Sequence, residues 1–148
     1  MKKLFIYYSF TSNGDVVAKN LSDKGIDIRK VITSEELPKN FILSILIGGY
    51  KAMINYCDKL LDFDSRIDSY DEIIIGSPVW NGRFCSPINS VLKLLNLNDK
   101  KISFILYSGS GKISKLEKSI NEKFDNVNIF NLIEPKKNLE ELEKLQLL

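Results

Sequence analysis

The 148 residues contain no histidine. That absence excludes an imidazole general base, a Ser-His-Asp or Cys-His constellation, and nearly every zinc or non-haem iron site. Cysteine is scarce as well. Cys57 and Cys85 lie far apart and outside a Cys-x-x-Cys spacing, so neither a redox dithiol nor a metal knuckle is expected. With no cysteine framework, the reducing cytoplasm is the expected compartment. An excess of one charge is also missing, since 21 Lys+Arg against 19 Asp+Glu leave a net +2. The cations are scattered, so a nucleic-acid partner is not expected. Nothing approaches the roughly 20 apolar residues of a membrane span, and the apolar run Leu4 to Tyr8 is too short for a secretory signal. A membrane partner is therefore not expected either. A chain so poor in catalytic side chains is expected to use a borrowed group for its chemistry.

What is present reads as one domain over 1–148, with 44% hydrophobic and 27% charged residues, ordinary values for a globular chain. Strand-like and helix-like patterns alternate throughout, the pattern of a parallel α/β fold. Leu4 to Tyr8 is uniformly apolar, as a strand buried on both faces should be. Val16, Val17, Ala18 and Leu21 recur at helical spacing until Gly25 stops the helix. Ile26 to Val31 alternates, which suits an edge strand. A helix is predicted from about Pro38 to Met53, and Gly48-Gly49 within it marks a close approach or a break. Asp58 to Glu72 reads as a solvated acidic connector directed toward the far end of the sheet. Glu72 to Ile75 is a central strand, and Ser86 caps a helix with Pro87 at its first position. Ile102 to Tyr107 and Val127 to Ile133 are the last two strands. A helix carrying Ile113, Leu116 and Ile120 lies between them, and a terminal helix carries Leu139, Leu142 and Leu145. Edge character in the second strand and burial of the first, third and fourth give the order 2-1-3-4-5 with right-handed crossovers.

In such a sheet, ligands sit beyond the carboxyl ends of the strands, where the order reverses. Three loops meet there. Ser9-Phe10-Thr11-Ser12-Asn13-Gly14 offers hydroxyls, an amide and backbone N–H groups at a helix N-terminus, which suits a phosphate. A plain helix cap is the simpler reading of that loop taken alone. Gly76-Ser77-Pro78-Val79-Trp80-Asn81-Gly82 follows the central strand, with Trp80 available to stack on a flat ring and Gly82 able to turn the backbone over. Ser108-Gly109-Ser110-Gly111 supplies a small-residue wall. Gly109 to Lys112 imitates half of a P-loop, but Leu106 stands at the first glycine position and Ile113 at the Ser/Thr. A receiver domain would need acidic residues where Ser9 and Gly76 stand, and a Rossmann dinucleotide site a Gly-x-Gly after the first strand.

These loops resemble the flavodoxin family, in its short form without an insertion in the last strand. Ser9 to Gly14 is similar to that family's phosphate loop [ST]-x-T-G-N-T, with Ser12 in place of Gly and Gly14 in place of Thr. Ile75 to Gly82 is similar to its G-[ST]-P-x-[WY] loop. The resemblance implies a flavodoxin-like three-layer sandwich around a five-stranded parallel sheet. It implies FMN held by Ser9, Phe10, Thr11, Ser12, Asn13, Gly14, Pro78, Val79, Trp80, Asn81, Gly82, Ser108, Gly109, Ser110 and Gly111. FMN would cycle through semiquinone and hydroquinone between redox partner proteins, in a monomer or weak dimer with no catalytic side chain and no metal. Two alternatives stay open: an FMN-dependent NAD(P)H:quinone-type reductase, and an interaction protein on the same fold without flavin.

Overall fold

The structure, a computed structural model, describes residues 1–148. Strand β1 (Lys3–Tyr7) leads to helix α1 (Asn13–Asp23), β2 (Asp27–Lys30) and α2 (Phe41–Met53). Then come β3 (Glu72–Trp80), the two-residue β4 (Arg83–Phe84), α3 (Ser86–Leu94), β5 (Lys101–Ser108), α4 (Ser114–Lys123) and β6 (Asn128–Ile133). A 3-10 helix (Leu139–Leu147) closes the chain. The parallel order β2-β1-β3-β5-β6 is the expected 2-1-3-4-5, with β4 an added antiparallel partner of β3.

Alternation along the strands builds two cores. Leu4 and Ile6 of β1, Ile73 and Ile75 of β3, and Phe104 and Leu106 of β5 face α3 and α4. Phe5 and Tyr7, Ile74, Ile105 and Tyr107 face α1 and the terminal helix. Burial on both sides is what a central parallel strand needs, and it accounts for the uniform apolar runs.

Three local expectations are corrected and a fourth is refined. Gly76 to Trp80, read as loop, continues β3. The register runs to Pro78↔Tyr107, while β1 pairing stops at Tyr7↔Gly76. Pro78 therefore lies beyond β1, where a missing N–H breaks no ladder bond. Ser86 is inside α3 and Cys85 is its N-cap; the Ser86 hydroxyl instead donates to Asp58. Asp58 is therefore buried, and Lys51 Nζ reaches it at 2.6 Å, so the acidic connector begins inside the protein rather than in solvent. Finally, the terminal helix is 3-10. The three-residue spacing of Leu139, Leu142 and Leu145 stacks side chains in a 3-10 helix, and Leu145 is the one fully inserted in the core.

The glycines of α2 need opposite accounts. A Cβ on Gly48 would stand 2.6 Å from Trp80 Cζ3, so this glycine exists to admit the indole. Nothing lies within 4 Å of the corresponding point on Gly49. The pair thus marks a close approach, and the helix runs through it unbroken.

Candidate functional site

The loop after β1 takes its shape from hydrogen bonds within itself. The Gly14 N–H donates to Ser9 Oγ at 3.0 Å, and Asn13 Nδ2 donates to Thr11 Oγ1 at 3.1 Å. Asn13 Oδ1 accepts the Lys136 N–H at 3.1 Å, tying the loop to the segment after β6. Ser12 precedes α1 at φ 66, in the left-handed region, and its side chain makes no cap. The backbone N–H groups of Phe10, Thr11, Ser12 and Asn13 donate to no acceptor in the chain. Four successive free donors at a helix N-terminus form a cradle for an anion.

Gly14 is explained by its surroundings. A Cβ there would stand 2.6 Å from Tyr107 Oη and 2.7 Å from Tyr7 Cδ2. The two tyrosines occupy the space a threonine side chain would need, which is why glycine stands at position 14. The neighbouring acid is neutralised: Asp15 accepts from Lys30 Nζ at 2.7 Å and from Tyr7 Oη at 2.8 Å. Burial pushes the Asp15 carboxyl up, but these hydrogen bonds and the Lys30 charge outweigh it and hold the pKa below the usual range.

Beside the cradle lies a cavity of about 360 Å³, within the size range of small-molecule sites. The structure brings Phe10, Thr11, Asn13, Pro78, Val79, Trp80, Asn81, Ser108 and Gly109 to its wall. Ser9, Ser12, Gly14, Gly82, Ser110 and Gly111 do not line it. Ser9 and Gly14 act behind the wall by shaping the loop. Gly111, at φ 70, packs against Ile133, and the Ser110 hydroxyl accepts the Lys112 N–H. Tyr107, Phe41, Ser44, Ile45 and Glu134 complete the lining. None of these five was legible as a site residue. Tyr107 reads as buried strand, the α2 residues belong to a helix with no chemical motif, and Glu134 is brought in only by the turn after β6.

Trp80 does two jobs. Its ring meets Gly48 on one side, and it stands edge-on to Phe10 at 6.2 Å and to Tyr8 at 6.3 Å. It is half-buried and lines the cavity. Asn81 and Gly82 form the turn joining Trp80↔Arg83, with φ 52 and 66. Positive φ at both central residues is the tight hairpin turn matched to strand twist. Gly82 faces the Lys115 side chain, not the cavity.

The lining holds two titratable side chains. Burial above all holds the Tyr107 phenol well above its usual range, and its hydroxyl donates to the Tyr8 carbonyl. Glu134 is held by Lys137 Nζ at 2.7 Å. Tyr107 is thus committed to a backbone carbonyl and Glu134 to an ion pair.

No family model matches this sequence, and no curated protein matches it. Solved structures do. A flavoprotein in complex with FMN from Lactobacillus acidophilus is 24% identical, covers 94% of this chain and 97% of its own, and gives a TM-score of 0.66. A candidate flavoprotein from Bacteroides eggerthii is 18% identical, covers 96% of each chain and gives 0.74. An oxidised flavodoxin from Bacillus cereus is 14% identical, covers 97% of this chain and 96% of its own, and gives 0.50. At such identities the likeness establishes the fold, and the fold is flavodoxin-like.

Proposed function

We propose that the chain binds FMN at the carboxyl end of the sheet and carries electrons between redox partner proteins. One observation carries the reading. Four free backbone donors, from Phe10 to Asn13, lie beside a cavity walled by Trp80, Phe10, Pro78 and Val79. That pairing suits a ligand with a phosphate at one end and a flat apolar ring at the other. FMN, when bound, supplies the electron chemistry that no side chain here provides. The loop donors hold its phosphate, with the Thr11 hydroxyl and the Asn13 amide beside them. Trp80 and Phe10 exclude water from the ring. The two titratable side chains of the lining are engaged within the chain, Tyr107 with the Tyr8 carbonyl and Glu134 with Lys137, and this favours a carrier over an enzyme with its own substrate.

Trp80 is the only tryptophan, so its emission reports the site without background. Apoprotein titrated with FMN is expected to lose that emission and turn yellow at one equivalent. Unchanged emission at saturating FMN would contradict the reading. If NADPH alone bleaches the FMN-loaded protein rapidly, the chain is a reductase instead of a carrier.

A further inference from the structure

Helix α2 is built inside out. Its buried residues are small, Ser44, Gly48 and Ala52, while its large apolar residues face solvent. Phe41, Ile42, Ile45, Leu46, Tyr50 and Met53 are each between 49% and 71% exposed. At 100° per residue they form one continuous arc along a helix about 20 Å long. No charged residue interrupts Phe41 to Tyr50. The single lysine of the helix, Lys51, is turned away to Asp58 at 2.6 Å. Gly49 lies inside the arc with open space over it. Glycine weakens a helix relative to alanine, and nothing in this chain recovers that loss.

We propose that this face pairs α2 with α2 of a second copy, the notch at Gly49 receiving a large side chain of the facing helix. Area selects the occupant. Taking ~200 Å² for a fully exposed large side chain, those six residues alone leave on the order of 700 Å² uncovered. A standard interface buries ~800 Å² per partner, whereas transient redox encounters lie at the low end of the range and are more polar. A face this apolar needs constant cover, and a two-fold pairing with its own kind is always available to a chain. A membrane surface fits less well. Interfacial helices carry lysine and arginine on their polar face, and the other face of α2 is Ser, Gly and Ala packed on the sheet side. The pairing also reaches the site, because Phe41 and Ile45 line the cavity. The second copy therefore stands at the cavity's α2 rim.

Sedimentation equilibrium of the full chain without added FMN tests this independently of the flavin reading. The expected mass is twice 16.9 kDa at micromolar concentration. Leu46→Glu and Gly49→Gln, neither of which lines the cavity, are each expected to raise the dimer dissociation constant at least about a hundredfold. Gly49→Gln should leave the circular dichroism spectrum unchanged, since the glycine faces open space and glutamine is the better helix former. A wild-type mass of one chain at all concentrations overturns the proposal. So does a Gly49→Gln variant that stays dimeric, or a monomer that instead binds lipid vesicles through α2.

Discussion

Ser12 shows how one residue records a compromise between backbone and ligand. It holds φ 66 without glycine's freedom and without a capping bond. A left-handed conformation costs a non-glycine residue ~1–2 kcal/mol. Glycine at this position would return ~0.5–1 kcal/mol of that through its extra freedom in the unfolded chain. The strain wins by a small margin, so Ser12→Gly should raise the thermal midpoint by about 2 °C. A lowered midpoint would show that the serine hydroxyl holds the loop after all. Thr11 tests the ligand side of the same loop. A hydrogen bond to a charged group is worth ~1.5–3 kcal/mol, so Thr11→Ala should weaken FMN about tenfold or more. Riboflavin, which has no phosphate, should bind almost as before. Equal losses for both ligands would assign Thr11 to the fold.

At the scale of elements, α2 and the β3–β4 hairpin meet at Trp80. Gly48→Ala gains ~1 kcal/mol of helix propensity but sets a methyl 2.6 Å from the indole. Overpacking costs ~1–3 kcal/mol, and in this case the neighbour is a large ring fixed by the hairpin. The variant should be net destabilised, with the Trp80 emission maximum shifted. A stabilised variant with unchanged emission would mean that α2 moves freely on the sheet. The hairpin also gives Gly82 a role in the fold itself. Positive φ is held in the turn as it stands, so Gly82→Ala strains the structure whichever way the Asn81–Gly82 peptide faces. The substitution should lower stability by about 1 kcal/mol before it alters any redox property. Sequence periodicity located these elements well where burial is two-sided, as in β1, β3 and β5. It misplaced the end of β3, because Gly, Pro, Asn and Gly signal turns whether they stand in a loop or in a strand leading into a tight hairpin. The inverted face of α2 was hidden for a related reason. Its residues look like core, and only the packing shows that Ser44, Gly48 and Ala52 face inward.

Over the whole molecule, the cradle and the part of the cavity wall on the three loops were legible, and the rest of the wall was not. The loop after β1 can be read from six adjacent residues, whereas the wall needs Tyr107, Phe41, Ser44, Ile45 and Glu134 from three distant segments. The far end of the sheet holds one group that contributes to acid sensitivity. Glu72 is buried in β3, accepts from Ser103 Oγ at 2.7 Å, and lies 3.3–3.4 Å from Lys101 and Lys3. Burial raises its pKa, yet those partners hold it below the ordinary 4.5. A carboxyl lowered on folding contributes stability at pH above its unfolded value. That contribution is lost as pH falls through the folded value. Stability should therefore decline below about pH 4.5, and Glu72→Gln should be less stable at neutral pH with a flatter acid limb. A wild-type acid limb retained in Glu72→Gln would move the effect to other carboxyls.

The central claim, a phosphate cradle beside an aromatic-walled cavity, is tested most directly by comparing FMN and riboflavin on one apoprotein through Trp80 emission. The ring alone should quench the indole in both cases. Charged hydrogen bonds from the loop should make FMN tighter by at least about a hundredfold. Equal affinities would contradict the cradle, and no quenching by either compound would contradict the site.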